Sequence, residues 1–241
     1  MAADTTECAV WWADAGCAEP ALAALLPAAE RERAGRLRRA VDRDRTIVAW
    51  ALVRTLLGEL LGEAPADVAI ERHCVRCGSG DHGKPRLADT AAAVHFSLAH
   101  SGPHVAVAVS RAGPVGIDVE TLKPNRDYRP LQRKTLTADE AVAFAAGGAR
   151  PLDFLRTWVR KEAVTKAVGT GIATPFDSFA VSGGAEPATL LTWPDDPSLV
   201  HRTTLRDLPG DPDRPAAVAI LAPDVRITEH DGSPVLGAAA A

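Results

Sequence analysis

The chain has 241 residues, a formal net charge of −4, 46% hydrophobic and 24% charged residues, enough for one large domain or two small ones whose core needs no metal or disulfide staple. The weakly acidic balance supplies no global basic field for nucleic acid. No stretch approaches the ~18 apolar residues that span a bilayer. The four cysteines show no secreted-type framework, and no basic region with a following apolar run opens the chain, so reduced thiols and a cytoplasmic location are expected.

In chain order, residues 8–13 read as a short buried strand. Pro27 can open a helix that continues through an arginine-rich stretch. There Arg31, Arg33, Arg36, Arg38, Arg39, Arg43 and Arg45 face only Glu32, Asp42 and Asp44, a local excess of positive charge. Ile47, Trp50, Ala51, Arg54, Leu57 and Leu61 recur at helical spacing, and Gly62 stands where a C-terminal cap is expected. Residues 73–90 are rich in turn formers. Strands at 94–98, 105–109 and 115–120 with tight turns between them suggest an antiparallel meander. Thr137-Ala-Asp-Glu140 is a capping box. Pro151 opens a further helix to about Val168, which Gly169 ends. Strands are expected at 178–181, 190–193, 199–204 and 216–221, and a disordered tail after them.

Two glycine patterns are decoys. Gly78-Ser-Gly80-Asp-His-Gly83 fits G-x-G-x-x-G, and Gly78 to Lys84 fits G-x-x-x-x-G-K. The first lacks its flanking strand and helix. The second is followed by Pro85, which offers neither hydroxyl nor helix. Cys74-x-x-Cys77 with His73 and His82 nearby has zinc-ligand chemistry. No second cysteine pair stands at finger-like spacing, so a turn with two ordinary thiols is the expectation.

The chemistry concentrates elsewhere. In Gly116-Ile-Asp118-Val-Glu120, a strand places Asp118 and Glu120 on one face. Adjacent carboxylates repel unless a cation lies between them, and the pair reads either as half of a divalent-metal site or as a solvated face. On a helix, Trp158, Glu162 and Lys166 share one side; Glu162 with Lys166 is also a favourable surface pair. His100, in a glycine-containing turn, suits either a phosphate donor or a structural role. Lys84 precedes Pro85 in a third basic element.

Taken together and in order, these elements resemble the Sfp-type 4′-phosphopantetheinyl transferases. The hallmarks are the G-[IV]-D-[IV]-E strand (Gly116 to Glu120), the W-x-x-K-E-A-x-x-K helix (Trp158 to Lys166), Gly83-Lys84-Pro85, the His95 to Ser101 strand-turn and Pro175 to Val181. The resemblance runs from about residue 31 to 181. It implies an α+β pseudodimer of two similar lobes, each a small antiparallel sheet packed with a long helix. The lobes would be 1–115 and 116–225, with 226–241 a flexible tail. It also implies coenzyme A in the cleft and Mg²⁺ on Asp118, Glu120 and Glu162. Lys161 and Lys166 would neutralise phosphate charge. Arg45, Lys84 and His100 would hold coenzyme A, and Arg33 and Arg36 match basic positions only loosely. Glu162 would act as base, with Lys166 beside it; Glu140 is set aside because the capping box explains it. The partners implied are apo carrier proteins of peptide, polyketide or fatty-acid synthases, with a monomeric enzyme, no nucleic acid and no membrane. Alternatives are a coenzyme A-binding protein without turnover and a Mg²⁺-dependent phosphohydrolase. One departure stands out: Ala99 replaces the first serine of the usual Ser-His-Ser turn, which removes a hydroxyl expected to touch coenzyme A.

Overall fold

A computed structural model describes residues 6–240. In chain order its elements are β1 (Glu7–Asp14), α1 (Ala28–Gly35), α2 (Ala40–Leu61), β2 (Ile70–His73), β3 (Lys84–Leu87), β4 (His95–Ser101), β5 (His104–Ser110) and β6 (Val115–Val119). Then follow α3 (Arg129–Thr135), α4 (Ala138–Ala146), α5 (Pro151–Val168), β7 (Ala180–Val181), β8 (Leu190–Thr192), β9 (Thr204–Asp207), β10 (Ala216–Ile220), β11 (Arg226–Asp231) and α6 (Ser233–Ala240). The class is mixed α+β with small, largely antiparallel sheets.

Strand alternation sets the layers. In β5, Val105, Val107 and Val109 pack with Val48, Leu52 and Leu56 of α2. Ala106 and Ala108 point the other way, into a core shared with Val115, Ile117 and Val119 of β6 and Val218 and Ile220 of β10. Small alanines on that face let two sheets stack closely. On the far side, Ala217 and Ala219 of β10 meet Val159, Ala163 and Ala167 of α5. The order is therefore α2, a four-stranded sheet (β11-β1-β5-β4), a three-stranded sheet (β6-β10-β9), and α5.

The long helices follow their sequence signals. Gly62 caps α2 with φ +72° and Gly169 caps α5 with φ +93°, both in the left-handed region that glycine occupies without strain. Thr137 and Glu140 close the capping box of α4. The arginine-rich stretch is broken between α1 and α2. Arg54, buried on α2, clamps the two by bidentate bonds to Glu30 at 2.7 and 2.9 Å.

Three expectations are corrected. The meander does not continue: β4 and β5 pair, but β6 leaves them and pairs antiparallel with β10. Its links to β4 are through side chains, the Ile117 N–H donating to Ser97 Oγ and Ala99 packing in the core beside Ile117. Residues 197–202 form a 3-10 turn whose Asp196 side chain caps Ser198, and the strand starts only at Thr204. The segment after 225 is not a loose tail. β11 pairs parallel with β1, Glu7 opposite Arg226, and α6 buries Leu236 in the α2 core. Ala241 lies outside the described residues. Among those residues no helix is long and apolar enough to cross a membrane.

Candidate active site

Gly116 explains how the motif strand and the motif helix meet. A Cβ at this position would collide with the Ala163 carbonyl and the Ala167 amide and come within 2.8 Å of Lys166 Cβ. Only glycine lets α5 lie directly on β6. Because β6 turns Val115, Ile117 and Val119 toward the inter-sheet core, Asp118 faces α5 with Gly116. On α5, Trp158, Glu162 and Lys166 form a half-exposed stripe on an otherwise largely buried helix.

The Lys166 ammonium donates to Asp118 Oδ1 at 2.7 Å and to the Ile117 carbonyl at 3.1 Å. Burial holds the Asp118 carboxyl above the usual range; Lys166 opposes this and Glu120 reinforces it. Glu162 is pushed up to about 7, first by burial and then by the charge of Asp118, with Glu120 adding to the rise against Lys166. Burial disfavours the charged form of Lys166, but Asp118 and Glu162 more than reverse that and raise its pKa. Asp118 and Glu120 thus raise the Glu162 pKa from beside the Lys166 ammonium, although among the described residues the three carboxylates are not drawn into one tight ligand set. Glu120 is oriented by Ser101, whose Oγ donates to Glu120 Oε2 at 3.0 Å and accepts the Thr121 N–H at 3.1 Å. An all-oxygen donor set with unbalanced negative charge fits a hard divalent cation such as Mg²⁺.

His100 lies one residue before the end of β4, near this cluster. Partial burial, then Arg45 and Lys166, lower its pKa. Arg45 is fixed by Asp42 at 2.7 Å and by the Gly102 carbonyl at 2.9 Å, while its buried Nε has no partner among the described residues. A cavity of ≈ 650 Å³ lies alongside, walled by Glu162, Lys166, Lys84, Arg72 and Trp50 among others. Lys84 spans the two halves of the chain, donating to the carbonyls of Val115 (3.0 Å) and Ala167 (3.1 Å). Burial lowers its pKa to about 8. Two of its three protons are committed, so one remains for a ligand.

Lys161, expected to neutralise phosphate charge, is instead engaged in a buried set of contacts within the protein. Its side chain is 0% exposed. Its ammonium donates to Thr135 O, Glu140 Oε2, Phe176 O and Phe179 O at 2.6 to 3.0 Å, more acceptors than it has protons. Glu140 is spent in the same knot, its other oxygen accepting the Val181 N–H at 2.9 Å. Ala99 also reads differently: it packs in the inter-sheet core, where a serine hydroxyl would face apolar atoms. Arg72 was not singled out from the sequence. It stacks over Trp50 at 4.9 Å in the cavity wall, and its pKa is lowered by burial and by Arg33. A lone arginine on a four-residue strand gives no sequence pattern that would mark it.

Residues 114–219 match the 4′-phosphopantetheinyl transferase superfamily. The protein HetI of Nostoc sp., a 4′-phosphopantetheinyl transferase, is 32% identical over 177 residues, 72% of this chain and 72% of HetI. A 4′-phosphopantetheinyl transferase of Bacillus subtilis is 29% identical over 172 residues, 68% of this chain and 69% of the relative. AcpT of Salmonella typhimurium is 32% identical over 125 residues, 50% of this chain and 58% of AcpT. The chain belongs to the 4′-phosphopantetheinyl transferase superfamily, enzymes that transfer phosphopantetheine to carrier proteins.

Proposed function

We propose that the chain is a Sfp-type, Mg²⁺-dependent holo-carrier synthase, a monomer of two α+β lobes meeting near residue 115, that acts on peptidyl, polyketide or acyl carriers. The observation that carries this reading is the Lys166 ammonium bonded to Asp118, with Glu162 under the influence of both and lining, with Lys166, a cavity large enough for a nucleotide-bearing substrate.

In this reading coenzyme A lies in the cavity with its phosphates toward Lys166, Arg45, His100 and the free proton of Lys84. The carrier serine hydroxyl attacks the β-phosphorus, the P–O bond to the adenosine bisphosphate breaks, and the Glu162 carboxylate accepts the hydroxyl proton. Burial and the neighbouring carboxylates raise the Glu162 pKa to about 7 in the metal-free protein, which makes it more basic than an ordinary carboxylate; a bound cation would lower that value. Lys166 stabilises charge growing on the phosphoryl oxygens as the leaving group departs. A divalent cation on Asp118, Glu120 and Glu162 would polarise the phosphoryl group and offset the carboxylates' repulsion.

The direct test is to incubate the protein with coenzyme A, MgCl₂ and an apo-carrier and weigh the carrier intact. A gain of one phosphopantetheine per carrier is expected. Adenosine bisphosphate released in the carrier-free control would mean a phosphohydrolase, and coenzyme A bound without either product would mean a binding protein.

A further inference from the structure

The turn between β2 and β3 carries chemistry that the transfer reaction does not use. Cys74 directly follows β2, and His82 stands two residues before β3. Within the ten residues between these strands, Cys74, Cys77 and His82 bring their ligand atoms within 4.8 Å of one another. Cys77 Sγ and His82 Nε2 are 3.3 Å apart. A tetrahedral zinc with bonds of about 2.0–2.3 Å needs ligand atoms roughly 3.4–3.8 Å apart, so the three are poised within small side-chain adjustments of that geometry.

Gly78 takes φ +73° and donates its N–H to the Cys74 carbonyl at 2.8 Å; the Cys74 N–H donates to the Ser79 carbonyl at 2.9 Å. The turn therefore wraps around the Cys74 sulfur. Backbone amides of Cys77 and Arg76 and the Cys77 side chain hydrogen-bond it, with His82 close by. Gly83, at φ +104°, is pressed onto the His73 carbonyl, where any Cβ would collide. That contact fixes His82 against the end of β2. The sequence expectation of two ordinary thiols rested on the lack of a second cysteine pair. Folding selects His82, one of the two histidines named beside the pair, as the third ligand.

We propose that Cys74, Cys77 and His82 bind a zinc ion, with solvent in the fourth position, and that the ion ties both ends of this turn. Two thiolates and an imidazole select a borderline-soft cation over Mg²⁺, so the site is chemically separate from the carboxylate cluster. Its consequence is mechanical: Cys74, His82 and Lys84 all border the cavity, and the ion would brace that wall.

The test loads the full-length protein with ZnCl₂, removes loosely held metal by desalting against a weak chelator, and counts zinc by mass spectrometry. One zinc per chain is expected, with at least a tenfold loss of retained zinc in Cys74→Ser/Cys77→Ser and none in Asp118→Asn/Glu162→Gln. Substitution of Co²⁺ into the unaltered protein gives a second readout, a thiolate-to-metal charge-transfer band with tetrahedral intensity, which does not depend on a variant folding. Zinc absent from the loaded protein, zinc retained by the cysteine variant, or a cobalt spectrum without sulfur ligation would each overturn the proposal.

Discussion

Two lysines five residues apart on one helix have opposite fates. Lys166 sits on the half-exposed stripe and touches Asp118; Lys161 is sealed among carbonyls and Glu140. Helical spacing puts Lys166, and not Lys161, on the side of Trp158 and Glu162, but nothing local foretells the burial of Lys161, because its acceptors come from residues 135 to 179 in separate segments. Removing one partner of a buried ion pair strands the other. Lys161→Met should therefore cost about 3 kcal/mol in chemical denaturation, with the KM for coenzyme A close to that of the unaltered enzyme. Glu162→Gln should lower kcat at least ~100-fold, the scale of lost general-base catalysis. It also has a stability signature. A carboxyl whose folded pKa is raised binds more protons folded than unfolded, so metal-free protein should lose stability as pH rises from about 4.5 to 7. Glu162→Gln should flatten that slope in chelator-treated protein, as should added MgCl₂ in the unaltered chain; an unchanged slope would deny that the group's charge is strained.

At the scale of elements, the decisive contact is β6 against α5. The sequence makes both visible, the strand by alternation and the helix by Pro151 and Gly169. It shows their register only through Gly116, whose absent side chain is what allows the contact. Gly116→Ala forces the helix away and should destabilise by about 1–3 kcal/mol, the usual range for overpacking. It should also depress transfer more than that loss of fold accounts for, because Lys166 moves off Asp118; a thermal melt paired with kcat/KM separates the two effects. Where the sequence misled, pairing partners were distant. The run 94–120 has the spacing of a meander, yet β6 prefers a partner about a hundred residues downstream, since its alternate face must meet α5. Leu199 begins a plausible strand run, but Pro197 and the Asp196 cap commit that segment to a 3-10 turn.

Over the whole molecule, four layers put α2 and α5 on the outside and stack the sheets within, and the elements flanking the cavity come from both halves of the chain. Family and chemistry were legible because the motif residues are spaced by elements whose signals are local. The C-terminal segment was not: its alanines suggest disorder, while its place depends on an edge of β1 more than two hundred residues away. The central claim is that Asp118, Glu120 and Glu162 jointly hold one divalent cation beside the phosphates. Mn²⁺ binding followed by electron paramagnetic resonance, in the presence of coenzyme A, tests it most directly. One Mn²⁺ per chain, weakened at least tenfold by Glu162→Gln and lost in Asp118→Asn/Glu120→Gln/Glu162→Gln, is the predicted result. Equal Mn²⁺ affinity in the triple variant would contradict the account.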